Sequence, residues 1–173
     1  MSSPGSPGIE IRLARVDELD EVGALARAAY EDAYMLSPEY LAEIADARGR
    51  SASAEIWVAA DASSGALVGT LTAPRPGERL QDDTAAGEMD VRLLAVSAAA
   101  RRRDVGEALM RHALELARER GARRLVLHTG SIMHAAQALY ERMGFTVIPD
   151  RGHEFIALGE RRRIIAYAYD IAR

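Results

Sequence analysis

At 173 residues, 49% hydrophobic and 28% charged, the chain has the length and balance of one soluble domain, enough to bury roughly two-thirds of its unfolded surface. A formal charge of −4 argues against a general nucleic-acid binder, and the lack of cysteine removes disulfides, thiolate metal sites and cysteine nucleophiles. Lysine is absent too, every basic charge being arginine, so lysine Schiff-base chemistry is excluded.

The first eight residues, MSSPGSPG, read as a mobile Pro/Gly/Ser leader without the apolar segment of a signal peptide. No run of about 18 apolar residues occurs, so no membrane span is expected and the default location is the cytoplasm. The bias toward Ala and Arg fits a GC-rich bacterial gene. Ile9 to Ala14 alternates apolar and charged side chains, as a short strand does. Asp17 and Glu18 precede a helical pattern with Leu19, Val22, Leu25 and Ala26 on one face, continued by Tyr30 and Tyr34. Ser37 then caps a second helix that has Pro38 at its first position and runs to about Ala47. EIWVAAD, the turn ASSG and ALVGTLTA make a hairpin, and Pro74 to Gly87 is a loop.

EMDVRLLAV is the next strand, in which Glu88, Asp90 and Arg92 alternate with Met89, Val91 and Leu93, so the charged three should share one face. A helix follows from Val105 to Arg120, stopped by Gly121. RRLVLHT is a strand, Met133 to Met143 a helix ended by Gly144, FTVI a short strand, and RRIIAYAYDI the strand that closes the sheet. This order, with no repeat or linker, predicts one domain over residues 9–173. The strand–helix–strand section favours parallel pairing and the early hairpin antiparallel pairing, so a mixed sheet with helices on both faces is expected.

Between Leu94 and Leu109 the chain passes from buried strand to amphipathic helix through Arg101, Arg102, Arg103, Asp104 and Gly106. A helix that starts straight after a strand offers free N–H groups and a partial positive charge, which is an anion site by construction. Gly106 would let a phosphate approach the backbone. The plainer reading is a charged loop in which Asp104 and Glu107 form a D-x-x-E capping box.

The same segment resembles the acyl-CoA-binding core of the GNAT acetyltransferase superfamily. That signature is R/Q-x-x-G-x-G/A after a strand reading roughly L-A-V; here Arg101-x-x-Asp104-Val105-Gly106 follows Leu94-Ala95-Val96. Further on, AAQALYERMGF, Ala135 to Phe145, resembles the family's closing A-x-x-L-Y-E-x-x-G-F block. The resemblance implies an α/β (α+β) N-acyltransferase fold. Its sheet would be mixed and mostly antiparallel, with one splayed parallel pair and helices on both faces. It also implies acetyl-CoA as co-substrate, with no metal. Backbone groups of Leu94, Ala95 and Val96 would pair with the pantetheine arm, and amides from Arg102 through Val105 to Gly106 would wrap the pyrophosphate. Arg101 to Arg103 would supply charge to the phosphates, and Glu107 and His134 complete the expected coenzyme set. Tyr140 matches the tyrosine that protonates the departing thiolate.

Two positions depart from the pattern. Asp104 replaces the first glycine of the signature and sets a carboxylate beside the expected pyrophosphate, so weakened CoA binding is expected. Met133 stands where the family has asparagine, seven positions before the tyrosine.

Without cysteine, direct attack in a ternary complex is the expected route, with a backbone N–H of Leu94–Val96 as oxyanion donor. Asp90 lies where many relatives carry a glutamate base, acting directly or through a water, and Glu88 is the second candidate. The alternative is an acidic strand end paired with Arg92. His128 ends a strand and His134 begins a helix, both near the expected cleft, and no histidine pair has metal-ligand spacing. Arg161–Arg163 has no assignment. Selectivity is expected from Tyr30–Tyr40 and Pro74–Gly87, where Glu31, Asp32, Asp82 and Asp83 would attract a cationic amine. The expected partner is thus a small-molecule or peptide amine, not a nucleic acid or a membrane, and a homodimer is left open. Beside N-acetyl transfer stand a non-catalytic acyl-CoA-binding protein of the same fold, which Asp104 motivates, and a nucleic-acid binder using the arginine loop.

Overall fold

In the computed structural model, which describes residues 8–172, the alternating Ile9–Leu13 forms strand β1. The expected leader lies outside the described residues apart from Gly8. The N-terminal helices are α1 (Leu19–Ala33), α2 (Pro38–Ala45) and the short α3 (Ala47–Ser51). They are followed by β2 (Ala54–Asp61), β3 (Leu67–Pro74), β4 (Glu88–Val96), α4 (Val105–Glu119) and β5 (Arg124–Gly130). The chain ends with α5 (His134–Met143), β6 (Thr146–Val147), β7 (His153–Ala157) and β8 (Glu160–Asp170).

Ser37 caps α2 as expected, its hydroxyl accepting from the Tyr40 amide at 3.2 Å. The helix does not run through Ala47. Asp46 interrupts it at φ −87°, ψ 60°, and its carboxylate instead accepts from the Gly49 amide at 2.9 Å, capping α3. A side chain that can bond the next turn's amide competes with helix continuation. The sequence reading also lacked β7, which joins β8 through Leu158 and Gly159, at φ 53° and 73°. This is the primed turn that suits a two-residue hairpin. Arg161–Arg163, unassigned in the sequence, therefore belong to a strand, paired with residues 154–156 of β7.

The eight strands form one sheet in the order β1-β2-β3-β4-β5-β8-β6, with β7 added on β8. Among the described residues only β4 and β5 run parallel. One face packs on α4 and α5 through Met89, Val91, Leu109, Leu125, Leu127 and Tyr167. Each such side chain, fully buried, contributes on the order of 2 kcal/mol. The opposite face packs on α1 and α2, with Ala26, Ile44, Leu93 and Ala95 together. Gly69 of β3 lets α4 sit close on the sheet, since a Cβ there would lie 2.8 Å from Val105 Cγ1.

Two irregularities in β4 place the site. Its pairing with β3 passes from Thr72↔Arg92 to Thr70↔Ala95, so Leu93 and Leu94 together oppose Leu71, and Leu93 has φ 55°. This bulge resets the pleat. Leu93 leaves the Met89–Val91 face on which alternation put it and packs with Ala95 against α1 and α2, while Leu94 and Val96 turn toward α4. The pairing with β5 covers only Glu88–Val91 against Arg124–Leu127, after which the two strands separate.

Candidate active site

Where β4 and β5 part, a narrow cleft of about 60 Å3 opens, lined by Tyr30, Leu94, Met110, His128, Ala136 and Tyr140 among others. The β5-facing edge of residues 92–96 has no strand partner among the described residues. Tyr140, from α5, is buried against Phe145 and Tyr167, its ring 5.8 and 5.9 Å from theirs. Its hydroxyl bonds to no described residue, and burial pushes the phenol well above its ordinary value. The group is therefore a neutral donor facing the cleft.

At the cleft's far end α4 begins. Asp104 is at its cap position with φ 55°, ψ 29° and makes no cap hydrogen bond, so the expected capping box does not form. Side-chain capping needs an extended backbone at this position, and the left-handed one turns the carboxylate away. Glu107 pairs with Arg111 at 2.9 Å instead. The amides of Val105, Gly106 and Glu107 thus have no acceptor within the helix. A Cβ on Gly106 would come within 3.3 Å of Leu139, 3.6 Å of Val96 and 3.9 Å of Leu94, which places the helix start directly over the end of β4. Arg101 is tied to Asp32 and Arg103 to Asp61, each at 2.7 Å. Hydrogen bonds from the Ser63 hydroxyl, then from Arg103, hold the Asp61 carboxyl far below its usual range. Arg102 is exposed and pairs with no carboxylate among the described residues. A diphosphate fits this junction, which has a free guanidinium, unpaired amides and a glycine where a side chain would crowd. Leu94–Val96 and Arg101–Glu107 are thus brought together. His134 is exposed at the first residue of α5, outside the cavities described here.

A larger cavity of about 720 Å3 opens on the α1–α2 face, lined among others by Tyr30, Tyr40, Arg92, His128, Arg151 and Arg162. One wall is the loop between β3 and β4, and Asp90 holds that wall in place. Its fully buried carboxylate accepts from the Leu80 amide at 2.9 Å, the Gln81 amide at 2.7 Å and the Thr84 hydroxyl at 2.6 Å. Glu88 is likewise engaged, by Arg151 at 2.7 and 3.0 Å and by the Ala85 amide at 2.8 Å. Burial alone would raise the Glu88 carboxyl, but these bonds hold it below its ordinary value. The two carboxylates expected as bases therefore line neither the cleft nor the larger cavity. Arg92, the partner expected for them, pairs with Glu43 of α2 at 3.2 Å.

The pinned loop delivers a different pair. Asp83 Oδ2 lies 2.9 Å from His128 Nε2, and His128 lines both the cleft and the larger cavity. The sequence placed His128 at a strand end and Asp83 in an acidic loop, but the two are 45 positions apart and nothing local joins them.

A family model described as "Acetyltransferase (GNAT) family" matches residues 19–145. The chain is 32% identical to N-acetyltransferase family 8 member 2 of Rattus norvegicus over 116 residues, 64% of this chain and 46% of that protein. It is 36% identical to mycothiol acetyltransferase of Beutenbergia cavernae over 93 residues, 54% of this chain and 29% of that protein. The chain thus spans less than half the length of these curated relatives. Among solved structures, IAA acetyltransferase from Bacillus cereus matches with a TM-score of 0.65 at 21% identity, covering 94% of this chain and 99% of that one. An N-acetyltransferase from Staphylococcus aureus matches with a TM-score of 0.71 at 18% identity, covering 95% and 99%. At such identities the likeness is one of fold.

Proposed function

The chain belongs to the GNAT acetyltransferase family, and from that membership we propose that it transfers an acetyl group from acetyl-CoA to a primary amine of a small molecule or peptide, by direct attack in a ternary complex. The observation that carries this reading is the cleft that opens beyond Val91 and Leu127, with unpaired helix amides at one end and the Tyr140 hydroxyl inside it. Arg102 and the amides of Val105, Gly106 and Glu107 would hold the diphosphate. The free edge of Leu94–Val96 would pair with the amide-bearing arm and offer an N–H to the oxyanion. The coenzyme supplies the acetyl group as an activated thioester.

The base in this reading is His128, oriented by Asp83, rather than Asp90 or Glu88, whose oxygens are already committed. His128 takes a proton from the ammonium, the amine nitrogen bonds to the carbonyl carbon, and the carbon–sulfur bond breaks. Tyr140 gives its proton to the sulfur, and the second nitrogen proton, shed as the amide forms, passes to solvent, from which the tyrosinate is reprotonated.

Calorimetry with acetyl-CoA, followed by a thiol-release assay over an amine panel, tests the reading. Binding and turnover are expected, with His128→Gln lowering kcat by about 10²-fold or more while acetyl-CoA affinity holds. Binding with no turnover of any amine would leave the non-catalytic coenzyme binder that the free Asp104 carboxylate favours. Absence of binding would sink both.

A further inference from the structure

We propose that the acceptor carries a carboxylate as well as its amine, and that Arg162 is the residue that binds it. This rests on the proposed transfer: His128, its base, lines the larger cavity as well as the cleft, which makes that cavity the acceptor's way in. Of the three arginines in that cavity, two are already compensated. Arg151 grips Glu88 through both nitrogens, and Arg92 pairs with Glu43. Arg162 differs. Its side chain is 6% exposed, one nitrogen donates to the Met35 carbonyl, and its Nε has no partner among the described residues. The carboxylate it approaches, that of Glu160, is 3.6 Å away and 72% exposed, beyond hydrogen-bond distance. A buried guanidinium with an idle donor, and only a long ion pair to an exposed carboxylate, is costly unless something completes it. A carboxylate does so, accepting from the fork of donors that a guanidinium presents.

The surroundings supply the other half of a zwitterion's needs. Asp82, Asp83 and Asp150 line the same cavity and favour an ammonium, while disfavouring a doubly charged phosphate. Register fixes the arrangement. Arg162 stands four residues before Ala166, the β8 partner of His128, so the two side chains share a face and are separated by roughly 13 Å along the strand. The cavity volume suits a small molecule or a short peptide end.

The test does not need turnover. With CoA present, the full chain is titrated calorimetrically with N-acetylated product mimics in matched pairs: N-acetyl amino acids and N-acetyl dipeptides, each against its C-terminal amide. The expected result is that at least one pair favours the free carboxylate by about tenfold or more, as loss of a charge-assisted hydrogen bond implies. Arg162→Gln, which removes the guanidinium charge and its fork of donors, should bring that ratio close to one. Should that variant fail to fold, the wild-type ratio decides alone. Equal binding within every pair, tighter binding of phosphate-bearing mimics, or no binding across the panel overturns the proposal. Carboxylate preference without thiol release from any amine would keep the site and remove the transfer reading; acetylation indifferent to the carboxylate would do the reverse.

Discussion

The Thr84 hydroxyl and the Asp90 carboxylate, 2.6 Å apart and both buried, lock the loop after β3 onto the middle of β4. With the Leu80 and Gln81 amides on the same carboxylate, Asp90 works as an anchor for the wall that carries Asp83.

Asp90→Asn is therefore expected to cost about 2 kcal/mol of stability, because an amide nitrogen would face donors that now have an acceptor. Urea melts measure this. The acceptor KM should rise as the wall loosens, with acetyl-CoA affinity unchanged. A fall in kcat alone, at full stability, would restore Asp90 as the base.

Tyr140→Phe is the complementary case. Its hydroxyl bonds to no described residue, so removal should leave the melting temperature within a degree or two, at a cost below about 0.5 kcal/mol. Thiol release should nevertheless slow by about 10²-fold.

Asp104→Gly removes a side chain from a left-handed position and a negative charge from beside the proposed diphosphate site. Stability should change by less than about 1 kcal/mol, relief of the backbone offsetting the extra freedom of glycine in the unfolded chain. Coenzyme affinity, read by calorimetry, should rise. Asp104→Ala, which keeps the strain and loses the charge, should gain affinity and lose stability.

Stability should also fall in alkali. Burial raises Tyr140 well above its ordinary value, while burial and the hydrogen bond to Glu141 push Tyr167 up to about 12. A group whose pKa is higher in the folded state gives its full stabilisation below the unfolded value, near 10, and loses it as pH rises through the folded one. Melting temperature should decline between pH 10 and 12, and less steeply in Tyr140→Phe.

The placement of Leu94–Gly106 at a strand–turn–helix junction, and of Tyr140 on the following helix, was legible because it follows from local order. Mixed pairing and the element order, α3 and β7 apart, were legible for the same reason. Asp104 was misleading, since D-x-x-E spacing carries no information about φ, and the left-handed backbone alone undoes the capping box. Asp90 and Glu88 were misleading because alternation gives the face of a strand but not what covers it. Their partners, Thr84, Leu80 and Arg151, lie in loops whose path is set by tertiary packing. The Asp83–His128 contact and the environment of Arg162 are long-range and have no signature along the chain.

The bulge at Leu93 has a consequence for how the chain tolerates insertions and deletions. Excising that one residue would restore an unbroken two-residue rhythm to the strand, a locally more comfortable conformation. The strand would then be free to zip against its parallel neighbour to the end. Such a shortened protein would gain ladder bonds and lose its mouth: a sounder sheet, sealed where the proposed coenzyme arm would enter.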